Sequence, residues 1–414
     1  MINNRENKNI DNKIVLYPSN WLYNASVIGF LKVLEEENIK NIEKIDFEDG
    51  NIKVPKEFFS SKENDPIPYA GKCLINHILK NENLDEWLKK SEKGKTNEEK
   101  HKEYVKEKFS DSPEEGYRYI RTWGKMFASN TPYQNLITID EWKEFKIFKL
   151  IEEFSTSIKK DGLVCSFCKK RNIPIEFLHI DRSLEKKSLE KRLVNFANPH
   201  IKELGASLGE FPNSFWNNKN SVFLCPFCVY IFLHHKNAFI PTSEGEIFIN
   251  APNFKLIWDL NKFAGKILQK SNEYPIKKIL GSSLLQWAIK RRTILGAWTM
   301  VNIEVIVKKG SIIDYFDLPL NITKILLDYE IANLIERIDE EKIFDLILAG
   351  KFSELEKANY HVLKTILKLK NHEEIPKNDP IKKYFKKYKD LNYLKKVSDI
   401  LPELYVRISE KIKS

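Results

Sequence analysis

The chain has 414 residues, 42% of them hydrophobic and 30% charged, with a formal net charge of +10 at pH 7. That length allows about two to four domains with real cores, and no apolar run approaches the ~20 residues that a bilayer demands, which excludes a helical membrane span. The excess of cations suits an anionic partner, and the polar, charged stretch over residues 1–12 has no apolar signal region, so a soluble, cytoplasmic protein is expected.

Residues 14–17 read as a short strand, and Pro18-Ser19-Asn20 offers cap chemistry to a helix over 21–36. Its apolar residues Trp21, Ala25, Ile28, Leu31 and Leu34 recur at helical spacing. Residues 42–47 and 51–54 form a hairpin in this reading, because Asp49-Gly50 supplies the positive φ angles of a tight turn. Pro66 and Pro68 break the pattern before a helix over 75–88, and the highly charged run 89–108 reads as solvated. From Tyr117 to Leu136, aromatic residues alternate with cations and amides. Arg118, Arg121 and Lys125 suit phosphates and Asn130 and Gln134 suit base edges, although the same residue types also build half-buried helix faces.

Two C-x-x-C knuckles follow, Cys165-Ser-Phe-Cys168 and Cys225-Pro-Phe-Cys228, with 56 residues between them. One knuckle presents two thiolates from a tight loop, so two complete the closed four-sulfur shell of a structural zinc site and clamp the ends of a long excursion. Disulfides need an oxidising compartment, and a redox pair needs only one such motif. Cys73 has no partner in sequence and reads as a buried thiol. His179, His200, His234 and His235 read as non-ligands, since four cysteines fill the shell. Residues 155–203 carry eleven Lys or Arg against six Asp or Glu, half of the net charge, and Lys169, Lys170 and Arg171 are candidates for a phosphate backbone. Gly205-Ala-Ser207-Leu-Gly209 matches a nucleophile elbow. The strand and helix that such an elbow needs are missing around Ser207, which makes a serine hydrolase the weaker alternative. The stretch 205–221 reads instead as an ordered loop anchored by Phe211, Phe215 and Trp216, with Asn213 and Asn217 as further base-edge candidates.

A strand over 246–250, helices over 254–268 and 282–298 and a strand over 301–307 complete the mixed part. Beyond residue 321 only helices are expected, over 323–338, 340–349, 353–369 and, in one or two pieces, 381–413, with Gly350 and Pro376 as stops. The fold class is α+β: a mixed N-terminal region, an inserted four-cysteine zinc-binding segment and a C-terminal all-helical bundle. The expected divisions are 1–150, 151–235, 236–310 and 311–414. A free-standing zinc protein that binds nucleic acid fits these features.

The opening Tyr17-Pro-Ser-Asn-Trp21-Leu-Tyr-Asn24-Ala-Ser-Val-Ile-Gly29-Phe-Leu, the knuckle pair and Asn213-Ser-Phe-Trp216-Asn resemble the CXXC-CXXC family of CRISPR-associated proteins. The resemblance covers residues 14–300 in outline. It implies the large subunit of the subtype I-B (Tneap) Cascade effector, a non-catalytic role in antiviral defence. Its partners would be the handle-binding and backbone subunits, guide RNA, target double-stranded DNA probed for a PAM, and a helicase-nuclease. It further implies that the helical tail is also made as a small subunit from an internal start, for which Met300 is the candidate.

Overall fold

The computed structural model describes residues 13–61, 66–91, 95–126, 142–143, 145, 148–149, 151, 162–165, 168, 172–174, 215–216, 219–220, 225–269, 274–292, 295–310 and 312–413. They fall into two compact units, one within 1–239 with 253–255 and 310–313, the other within 240–252, 256–309 and 314–414.

In the first unit β1 (Lys13–Leu16) leads into α1 (Trp21–Glu37), and the Asn20 side chain accepts the Tyr23 N–H at the helix start, as the sequence suggests. Helix α1 is buried on nearly every side from Leu22 to Leu34. Such all-round burial requires close neighbours, and Gly29 provides the closest: a Cβ there would lie 1.9 Å from the His234 carbonyl oxygen. The hairpin differs from its expected form. Residues Ile39–Glu43 make a short helix α2, capped by the Asn38 side chain, so the first strand shrinks to β2 (Asp46–Glu48). The turn is as expected, with φ of +50° at Asp49 and +80° at Gly50. Strand β3 (Asn51–Pro55) lies between β1 and β2, antiparallel to both, and turns Ile52 and Val54 inward beside Ile14 and Leu16.

The helix expected over 75–88 is two helices. Helix α3 (Tyr69–Ile78) starts directly after Pro68, and α4 (Leu84–Ser91) starts anew where the Asn83 side chain accepts the Asp85 and Glu86 N–H groups. Helices α5 (Lys95–Lys108) and α6 (Pro113–Met126) follow. A chain of rings then runs inward from α6. Tyr119 stacks on Trp142 at 5.4 Å, Trp142 meets Phe148 at 5.4 Å, and Phe148 meets Tyr230 at 6.0 Å. Tyr119 is fully buried, so this aromatic of the 117–136 stretch serves the core.

A four-stranded sheet has the order β11-β10-β9-β8, from β8 (Ile240–Thr242), β9 (Gly245–Asn250), β10 (Glu304–Lys309) and β11 (Ile312–Asp317). Strands β9 and β10 are antiparallel, from Glu304 opposite Asn250 to Lys308 opposite Glu246. The Asn261 side chain brackets β9 by accepting the Ile249 N–H and donating to the Ile249 carbonyl, which holds α8 (Phe254–Leu268) along it. The helix expected over 282–298 starts earlier, as α9 (Ile276–Arg291), and the left-handed Arg292 ends it before a short α10 (Ala297–Val301).

The C-terminal region is helical, but β11 precedes it where no strand was expected. The single helix expected over 323–338 is also divided. Asp328 caps α12 (Tyr329–Ile338) by accepting the Glu330 and Ile331 N–H groups, which separates it from α11 (Leu320–Leu326). Helices α13 (Glu341–Leu348) and α14 (Ser353–Lys370) follow close to their expected places, whereas the helix expected from 381 begins only at α15 (Leu391–Lys413), after a single 3-10 turn over Pro380–Lys383. No helix among the described residues is long and apolar enough to cross a membrane.

Candidate metal centre

The first knuckle sits on a hairpin. Strand β4 (Gly162–Val164) runs directly into Cys165, Cys168 lies in the turn, and β5 (Asn172–Pro174) returns antiparallel. The second knuckle opens a helix: Cys225 is the cap of α7 (Pro226–Phe232), Pro226 takes the first helical position, and Cys228 lies one turn in. A proline is tolerated there because the first N–H groups of a helix have no internal acceptor.

All four sulfurs lie within 4.8 Å of one another, and all four residues are buried. A tetrahedron of metal–sulfur bonds about 2.3 Å long has edges of roughly 3.8 Å, so the cluster has the dimensions of a closed four-thiolate shell. Backbone N–H groups already point at the sulfurs, Cys225 N at Cys165 Sγ (3.3 Å) and Cys228 N at Cys225 Sγ (3.5 Å). These bonds stabilise sulfur lone pairs, as the outer shell of a thiolate metal site does.

Without a cation, burial favours the neutral thiol at two of these sulfurs. Burial pushes the Cys225 and Cys228 thiols well above the usual range, and their sulfur neighbours Cys165 and Cys168 push them further. At Cys165 the hydrogen bond with Cys168 pushes the thiol up and burial adds to it, but the hydrogen bonds with Cys225 and Cys228 together leave it lowered. Four thiolates cannot share a buried site of this size unless a cation stands among them. A divalent zinc ion meets that need, and the donor set fits it.

The aromatic third residue of the second knuckle has a structural role. Phe227 is 1% exposed and meets Phe59 edge-on at 5.1 Å, and Phe59 stacks on Phe30 of α1 at 5.7 Å. Tyr230 and His234 close the same cluster against Phe30. The centre is thereby anchored to the helix at the core of its unit. His234 and His235 are not among the four-sulfur ligands. His234 Nδ1 faces the Tyr230 and Ile231 carbonyls, and burial lowers its pKa to about 3. The His235 ring stacks on Phe232 at 4.6 Å. Cys73 is a buried thiol on α3, and burial raises its pKa to about 12.

Of the other candidates, Arg118, Arg121 and Lys125 all lie on α6 and all have neighbours. Arg121 grips Glu82 through Nε (3.2 Å) and Nη2 (2.8 Å), Lys125 reaches the other Glu82 oxygen (2.6 Å), and Arg118 donates to Asn76 (2.9 Å). Hydrogen bonds from Lys125 and Arg121 hold the Glu82 carboxyl below the usual range. Sequence reasoning missed Glu82, because nothing in its neighbourhood reveals that it lies across from α6. Asn130, Gln134, Lys169, Lys170, Arg171, Ser207, Asn213 and Asn217 lie outside the described residues.

Residues 159–236, a stretch that spans both knuckles, match the family described as CRISPR-associated protein (Cas_CXXC_CXXC). No curated protein and no solved structure matches the chain. The chain thus carries a CRISPR-associated domain of this kind over part of its length, and that domain contains the four-sulfur cluster.

Proposed function

We propose that this chain is the non-catalytic large subunit of a type I CRISPR surveillance (Cascade) complex, with a structural zinc ion held by Cys165, Cys168, Cys225 and Cys228. The observation that carries the reading is the coincidence of the CRISPR-associated match with a buried four-sulfur cluster of zinc dimensions. Zinc, when bound, supplies a cross-link and no chemical step, since a closed four-thiolate shell leaves no open position for substrate. The protein's own residues do the rest: the knuckle hairpin and α7 are held at fixed separation, and the aromatic cluster of Phe59, Phe227 and Tyr230 ties them to α1.

In such a complex, pairing between guide RNA and target reads the long sequence, so a large subunit needs only shape, charge and one short base-specific contact. The net charge of +10 suits that task. Arg118, Arg121, Lys125, Lys169, Lys170 and Arg171 are proposed for phosphates. Asn130, Gln134, Asn213 and Asn217 are proposed for the base edges of the PAM, because a side-chain amide pairs with adenine in the major groove. For Arg121 and Lys125 this means exchanging Glu82 for a polyanion, so their contribution depends strongly on salt.

The test is co-expression of the gene with its genomic neighbours, with an affinity tag on this chain. A ribonucleoprotein containing a guide RNA and the other subunits is expected, and it binds PAM-bearing duplex DNA and recruits the helicase-nuclease. Recovery of the chain alone from a complete neighbour set, or fluorophosphonate labelling at Ser207, overturns the reading.

A further inference from the structure

We infer that the outward face of α14 is a docking surface for an acidic amphipathic helix of a protein partner. Tyr360 (61% exposed), Leu363 (49%) and Leu367 (62%) stand on that face, while Leu355, Ala358, Val362 and Ile366 of the same helix are buried. Spacings of three and four residues align the exposed three in one stripe about 10 Å long, two turns of helix. The stripe is therefore surplus to the fold: α14 already buries one apolar face and carries a second.

The charges beside the stripe select the occupant. Lys357 and Lys368 of the same helix are already paired, with Glu354 (2.6 Å) and Asp379 (2.7 Å). Lys364 and Lys370 flank Leu363 and Leu367, and neither has a carboxylate partner among the described residues. Exposed Glu356 lies one turn before Tyr360, at the other end of the stripe. A partner helix with apolar residues at the same spacing fills the stripe, and its acidic flank lies over Lys364 and Lys370, which also fixes its direction. Tyr360 is the one ring in the stripe, and it sits at the end beside exposed Glu356, where a phosphate backbone is repelled; a two-turn stripe on a helix whose opposite face is locked in a core is also short for a membrane surface.

The full chain is titrated by fluorescence anisotropy against four probes: a stapled leucine-seam helix with glutamate flanks, the same helix with lysine flanks, phosphatidylserine vesicles and a single-stranded oligonucleotide. Preference for the glutamate-flanked helix is expected. Leu363→Ser with Leu367→Ser weakens it about tenfold or more, and Lys364→Glu with Lys370→Glu turns the preference to the lysine-flanked helix. All four side chains are exposed, so unchanged melting curves check that the variants fold. The inference is overturned if the glutamate-flanked helix does not bind, if neither double variant alters its binding, or if the leucine pair governs capture of vesicles or oligonucleotide instead.

Discussion

His234 shows how much a single buried side chain can set for its unit. Its pKa is depressed to about 3 by burial, against an ordinary value of 6.5, so between those limits the unfolded chain binds the extra proton. Stability is then fully present above the unfolded pKa and is lost as pH falls below it. Between pH 7.5 and pH 5 the loss attributable to His234 is about 2 kcal/mol. Chemical denaturation at both pH values, compared with His234→Phe, isolates that share from any acid release of metal, and the variant is expected to flatten the pH dependence by this amount. The cysteines act differently, because each is one quarter of a shell. Any one Cys→Ser change at 165, 168, 225 or 228 is expected to cut bound zinc to well below one per chain and to lower the melting temperature, not to remove a reaction step.

Two glycines on helices make opposite predictions. Gly29→Ala on α1 would drive a Cβ to within 1.9 Å of the His234 carbonyl, a backbone atom that cannot rotate away, so a loss of about 3 kcal/mol or more is expected. Gly124→Ala on α6 meets only the flexible end of Arg121, at 3.6 Å, and is expected to stabilise by up to about 1 kcal/mol. Thermal melts of the two variants check both signs. The legibility of the elements follows the same division between local and distant causes. The Asn20 cap, the Asp49-Gly50 turn and the 254–268 helix depend on neighbours in sequence, and they formed where the sequence placed them. The breaks before Asn83 and Asp328 were missed because each polar side chain interrupts a continuous apolar pattern with a cap that periodicity does not register. Strand β11 was missed because it buries little on either face, although the turn at Gly310, with φ of +62°, was a usable sign. The knuckle spacing pointed to the four-sulfur cluster, whereas Glu82 opposite Arg121 and Lys125 could emerge only from the packing.

At the level of the chain, the expectation of a separate small subunit from Met300 meets a physical difficulty. Met300 lies in α10, ahead of β10, and a product starting there would leave β9 behind along with the whole ladder from Glu304 to Lys308. It would also lack α9, against which α11, α12 and α13 pack. A fragment over 300–414 is therefore expected to melt without a sharp cooperative transition and to expose apolar surface to a dye, and a sharp two-state melt would restore the expectation.

The claim on which the rest depends is that two distant knuckles close one structural metal site. Zinc per chain, measured by elemental analysis of protein purified without chelator, tests it most directly. One zinc per chain is the predicted result, with the four knuckle thiols slow to alkylate until the metal is removed. A chain that is folded and holds well under one zinc, with those thiols freely reactive, would contradict the account.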